Sequence, residues 1–108
     1  MAENLSDDVW KIVEPWNYFE KDTVGKQLVR AADSIGANIA EGCGRGYPKD
    51  NKRFVRIARG SLNETKFWLR RASKRGLIHK TQNENLTTIL DELAPTLNAY
   101  LSSIGRNL

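Results

Sequence analysis

Cysteine, histidine and proline are scarce in this 108-residue chain, at one, one and three copies. Each scarcity excludes something. A lone Cys43 leaves no internal disulfide and no CxxC-type zinc site, and it suits a reducing compartment. A lone His79, with neither an HxxxH nor an ExxH spacing, supplies no helical metal-ligand set. No Ser-His or Cys-His partner for it is indicated, so it reads as a solvated turn residue. Long apolar runs are also missing. No stretch of about 18 such residues occurs, so no membrane span is expected. The opening MAENLSDDVW is acidic without an apolar stretch, and is not expected to be a signal peptide. Alternating apolar and polar runs rich in β-branched residues are absent, which removes strands. Among carboxylates, Glu41 and Glu64 are the best placed, but no pair has a spacing that suits shared acid–base work. The expectation is a non-enzymatic, cytoplasmic protein without catalytic residues, cofactor or metal.

What is present is helical periodicity. The length fits one domain, 1–108, able to bury roughly two-thirds of its unfolded surface. Four helices are predicted over about 6–20, 23–43, 48–75 and 81–105. Ser6 is the expected cap of the first, with Asp7 and Asp8 in a favourable first turn. Val9, Val13, Trp16 and Phe19 or Glu20 share its face, and Pro15 bends or shortens it. The second follows Asp22-Thr23 with a stripe through Val24, Leu28, Ala31, Ala32, Ile35, Ile39 and Gly42. The third opens at Pro48, a favoured first-turn proline, and stops at Lys74-Arg75-Gly76, with Leu77 as the usual hydrophobic contact. The fourth opens on a Thr81–Glu84 capping box. Leu86, Leu90, Leu93, Leu97, Tyr100 and Ile104 follow on a heptad seam, with Pro95 on the opposite side. Short loops favour antiparallel neighbours, so the fold class is all-α, an up-down antiparallel four-helix bundle.

The third helix also carries the informative charge. With Phe54 at heptad position d, the a, d and e positions hold Phe54, Val55, Ala58, Ser61, Leu62, Thr65, Trp68, Leu69 and Ala72, the face to be buried. Positions b, c and f hold Lys49, Lys52, Arg53, Arg56, Arg59, Lys66, Arg70 and Lys74 beside Gly60, Asn63, Phe67 and Ser73, with no acid among them; Asp50 and Glu64, the helix's only acids, fall at the flanking g position. A solvated helix face normally mixes signs, because like charges at i,i+4 repel by about a few tenths of a kcal/mol each. An anionic partner would relieve that repulsion. Lys49, Lys52, Arg53, Arg56, Arg59, Lys66 and Arg70 are therefore candidate contacts to an RNA or DNA backbone, and Arg30 and Arg45 are possible extensions. Phe67, within the patch, fits a stacking platform or a subunit contact. The alternative is a protein-interaction scaffold with no direct nucleic-acid role, suggested by Phe67 and the wide apolar faces of the last two helices.

The glycine-dense GCGRG of residues 42–46 invites a phosphate-loop reading and fails it. Such loops follow a buried strand and open a helix, whereas here a helix precedes the glycines, which read as ordinary stop signals. Upstream, Ser34, Asn38, Glu41 and Arg45 form one polar stripe beside the apolar one. Polar glue between helices or subunits is its expected role, with Glu41 and Arg45 able to pair at i,i+4.

The run RAADSIGANIAEGCGR from Arg30 to Arg45 resembles the signature of the four-helix bundle proteins encoded in 23S rRNA intervening sequences. The run RFVRIARGSLNE from Arg53 to Glu64 resembles that family's second motif. One departure is Gly36, where the family commonly has proline. The resemblance implies a non-enzymatic homo-oligomer, a pentameric ring, related to the accessory variability proteins of diversity-generating retroelements, which bind nucleic acid and contact a reverse transcriptase. Carried onto this chain, Ser34, Asn38, Glu41, Gly42, Ser61 and Glu64 become the structural motif, together with Phe54, Ala58 and Gly60.

Overall fold

The computed structural model describes residues 1–105. Helix α1 spans Ala2–Val13. A single turn, α2 (Tyr18–Glu20), and a π-helical turn over Lys21–Gly25 run without a break into α3 (Lys26–Arg45). Then come α4 (Pro48–Lys74) and α5 (Lys80–Ser103), and no strand occurs among the described residues. Contacts between neighbours run in opposite directions along the chain. Val13 meets Gly25 and Ala2 meets Gly36; Ser34 meets Ser61 and Gly42 meets Asn51; Arg59 meets Asn98 and Lys66 meets Asp91. The four long helices therefore alternate up and down, with α3–α4 the most extensive contact and α1 closing against α5.

The core lies where the periodicities converge. Leu5 and Val9 of α1, Leu28, Ala32 and Ile35 of α3, Val55, Ala58 and Leu62 of α4, and Leu86 and Leu90 of α5 are almost fully buried. Each large aliphatic side chain among them stabilises the fold by about 1.5–3 kcal/mol. The a, d and e face of α4 is buried except at Phe54 and Trp68, which are half-buried. The α5 seam is buried from Leu86 to Leu97 and at Ile104, with Tyr100 half-buried. Pro95 is exposed, and α5 continues through it.

The helix that opens at Pro48 starts as expected, and the other three start elsewhere. Ser6 lies inside α1, and its hydroxyl donates to the carbonyl of Ala32 at 3.3 Å. Pro15 cannot donate the next helical hydrogen bond, so α1 ends and the Trp16 N–H turns back to Val13 at 2.9 Å. The next helix is capped by Asn17, whose side-chain oxygen accepts from the Glu20 N–H at 2.9 Å. Asp22-Thr23 is thus interior, with the Thr23 hydroxyl donating to Phe19 at 2.7 Å. Phe19 leaves the face expected of it and is exposed. α5 starts at Lys80, and the His79 N–H donates to the Gln82 side chain at 2.9 Å; Thr81 and Glu84 fall within the helix. The end of α4 is as expected: Gly76 adopts φ +74°, and Leu77 and Gly76 donate to Ala72 and Ser73 at 2.9 and 3.1 Å, a Schellman closure.

GCGRG is not a run of stop signals. α3 continues through it to Arg45, and only Gly46, at φ +79°, turns the chain. Gly42 is buried in the α3–α4 contact: a Cβ there would lie 2.7 Å from Asn51 Oδ1 and 3.2 Å from the Asn51 carbonyl oxygen.

Candidate nucleic-acid interface

At about 1.5 Å per residue, the 27 residues of α4 form a rod of roughly 40 Å. Its f positions, Lys49, Arg56 and Arg70, and the c positions Arg53 and Lys74 are exposed. Its b positions face α5. There Arg59 donates to the Asn98 side chain at 3.3 Å, and the Lys66 ammonium lies 3.6 Å from an Asp91 carboxylate oxygen. Lys52, the third cation at b, is half-buried. The absence of acid therefore holds only for the b, c and f positions of α4: Asp50 and Glu64 of the same helix flank them, and α5 lends Asp91 to the patch. That pair is partly exposed and contributes on the order of 0–1 kcal/mol. Among the described residues no carboxylate lies within ion-pair distance of Lys49, Lys52, Arg53, Arg56, Arg59 or Arg70.

The patch also has an extension from α3. The half-buried Phe54 ring carries two guanidinium groups, Arg53 at 4.5 Å from its centroid and Arg45 at 5.0 Å, a cation–π arrangement that holds both in place. Arg45 also pairs with Glu41 at 3.0 Å. Arg30 does not join them: it borders a groove beside Trp10 and Val29. Tyr47, in the turn between Arg45 and Lys49, is 71% exposed. Phe67 is 45% exposed and packs edge-on against Trp68 at 5.0 Å between centroids. Arg45 and Tyr47 are the contributors that periodicity on α4 alone misses. Asp91 and Asn98 had a signal: they are one heptad apart on α5, like Lys66 and Arg59 on α4.

Behind this surface runs a polar seam. Asn38 Nδ2 donates to the Ser34 carbonyl and hydroxyl at 2.8 and 2.9 Å. The Ser34 and Ser61 hydroxyls are 2.8 Å apart, and Ser61 passes the chain of donors to the Ile57 carbonyl at 3.1 Å. Glu64 stays on the outside, accepting a long bond of 3.4 Å from Trp68 Nε1. At the end of the seam Asn51 donates to Tyr100 Oη at 3.1 Å, and Tyr100 lies 3.0 Å from Cys43 Sγ. Asn51 Oδ1, pressed against Gly42, has no hydrogen-bond partner. The bond to Cys43, reinforced by burial and opposed by the Asn51 bond, raises the Tyr100 pKa above the ordinary tyrosine value of 10.0. Among the described residues no three His, Cys, Asp or Glu side chains gather as a metal-holding group. No helix of the described residues is long and apolar enough to cross a membrane.

The family model for the 23S rRNA-intervening sequence protein matches residues 1–99. The chain belongs to that family. One similar solved structure is a protein with unknown function from the S23 ribosomal protein family of Bacteroides thetaiotaomicron, 25% identical, with a TM-score of 0.77. The match covers 95% of this chain and all of that one. The chain matches no curated protein. In this intervening-sequence family member the two motif runs lie on α3 and α4 and meet at the Ser34–Ser61 hydroxyl pair, which Asn38 supports from the first run and Ile57 from the second. Gly36 leaves α3 unbroken and faces α1, where a Cβ added to it would lie 3.6 Å from Ala2 Cβ.

Proposed function

We propose that the protein is a non-enzymatic, self-assembling helical bundle that binds the backbone of RNA or DNA through α4. One observation carries this reading. The b, c and f positions of α4 carry eight cations and no acid, the helix's own acids Asp50 and Glu64 flank that face, and among the described residues the one acid paired with the candidate contacts is Asp91, borrowed from α5. Lys49, Lys52, Arg53, Arg56, Arg59, Lys66 and Arg70 are the proposed contacts, with Arg45 beside them on Phe54. Phosphate contacts of this kind give binding of low sequence selectivity that falls steeply with salt. Half-exposed Ile57 and Phe67, at 41% and 45%, give the α3-facing edge of α4 the apolar surface that a second copy, in a pentameric ring, would cover. A cytoplasmic setting fits the single exposed thiol, Cys43. On the same reading the chain is kin to the accessory variability proteins of diversity-generating retroelements, and a reverse transcriptase or another protein is a partner to test.

The test is the ratio of absorbance at 260 and 280 nm of protein purified at low salt and again at high salt. Nucleic acid that co-purifies and is stripped by salt is the expected result. A clean spectrum under both conditions overturns the reading and favours the scaffold alternative. Light scattering tests assembly separately: a monomer at micromolar concentration would overturn the ring.

A further inference from the structure

α1 packs on α3 and α5 and makes no extensive contact with α4, so its outer side lies across the bundle from the basic surface. There α1 and α3 border an open groove of about 360 Å³. Val13, Gly25 and Val29 line it beside Trp10, which is 58% exposed. Glycine keeps the floor low: a Cβ at Gly25 would lie 2.6 Å from Val13 Cγ1. The rim carries Lys21, Lys26 and Arg30 against a single acid, Glu14. None of these three cations has an ion-pair partner among the described residues. Just before Lys21 in the chain, Tyr18 and Phe19 are 83% and 74% exposed.

We propose that this groove is the docking site for an amphipathic, acid-flanked helix of a partner protein. Its apolar anchors enter beside Trp10 and Val29, and its carboxylates lie against Lys21, Lys26 and Arg30. The volume is near the lower end of the range for ligand pockets, room for about two or three large side chains, which is what a helix presents at i, i+3 or i+4, and i+7. An exposed tryptophan beside an apolar floor is the kind of contact that dominates binding energy. The charge of the rim selects the occupant. Nucleic acid would use the cations but leave the apolar floor unfilled, and a lipid surface meets protruding faces rather than a concave one. Because the groove lies across the bundle from α4, a protein held here leaves the basic surface open.

The proposal is tested by fluorescence anisotropy of two labelled synthetic helical peptides added to the full chain. Both carry leucine at i, i+3, i+4 and i+7; one is flanked by glutamate and the other by lysine. The glutamate peptide is expected to bind about tenfold or more tighter, the sum of a few rim charge contacts. The double variant Lys26→Glu/Arg30→Glu, at exposed positions, should reverse that order, and Trp10→Ala should weaken both peptides. The salt slope of RNA binding, which counts phosphate contacts, should be unchanged in the double variant. Equal binding of the two peptides, or no effect of the variants, overturns the proposal. So does a salt slope of RNA binding that falls with the double variant, which would assign these cations to the nucleic-acid surface. Groove amides whose NMR shifts change with protein concentration alone would assign the groove to a second copy. Loss of binding to phosphatidylserine vesicles in the double variant, without any peptide binding, would assign it to a lipid surface.

Discussion

Two helical glycines, Gly42 of α3 and Gly60 of α4, should respond with opposite signs to the same added methyl group. At Gly60, on the outer side of α4, a Cβ would meet nothing within 4 Å. Gly60→Ala therefore gains the helix propensity difference alone, about 0.8–1.0 kcal/mol. At Gly42 the same Cβ would stand 2.7 Å from Asn51 Oδ1, 3.0 Å from Phe54 Cβ and 3.2 Å from the Asn51 carbonyl oxygen. Carbon atoms pack favourably at about 3.5–4.0 Å, so α3 and α4 must separate or Asn51 must turn away from Tyr100. Overpacking of this kind costs about 1–3 kcal/mol, which equals or exceeds the propensity gain. Gly42→Ala should then fall below Gly60→Ala by roughly 1–3 kcal/mol. For a domain near this size each kcal/mol moves Tm by roughly 4–8 °C. Thermal and urea unfolding followed by circular dichroism, at one fixed protein concentration, measures the difference. A Gly42→Ala protein as stable as Gly60→Ala would refute the claim that the α3–α4 seam sets the spacing of the bundle.

Two further perturbations probe the seam. In a double-mutant cycle on Ser34→Ala and Ser61→Ala, the 2.8 Å hydroxyl pair should show a coupling of about 0.5–1.5 kcal/mol, and additivity would mean that the pair contributes nothing. The Tyr100 phenol, held protonated by Cys43, should ionise above 10.0 in the ultraviolet difference titration of wild type against Tyr100→Phe, and Cys43→Ala should lower that midpoint. Because the folded value is raised, the stability Tyr100 contributes is complete below a free phenol's range and is lost as pH rises through the higher folded value. A midpoint at or below 10.0 would remove the hydrogen bond to Cys43 from the account.

The long helices were legible because each satisfies several rules at once. α4 combines Pro48 at its start, a continuous a/d/e stripe and a Gly76-Leu77 closure, and α5 carries a strict heptad seam from Leu86 through Leu97. The first 25 residues were less legible, since competing caps stand close together. Ser6 has cap chemistry but lies within α1 and bonds to Ala32, and Asn17, just beyond the break at Pro15, caps the next helix ahead of the expected Asp22-Thr23. The π-turn at Lys21–Gly25 has no period that a helical template can detect. For the candidate surface, the cations on α4 follow from spacing, but Asp91, Asn98 and Arg45 reach it from other helices. Arg45 is an expected extension of the patch, and Asp91 and Asn98 share the heptad spacing of Lys66 and Arg59, but periodicity describes one helix at a time, so the pairings across helices follow only from the assembled bundle.

The most direct test of the central claim is charge reversal on α4. Arg53→Glu, Arg56→Glu and Arg59→Glu change exposed positions and leave the buried face of the helix untouched. Labelled RNA and DNA, titrated by anisotropy over a range of salt concentrations, give both affinity and the salt slope. Each lost phosphate contact lowers the slope by about 0.7–0.9, so the triple variant should lose roughly two to three in slope and bind weakly at every salt concentration. Affinity and slope equal to those of the wild type would contradict the account.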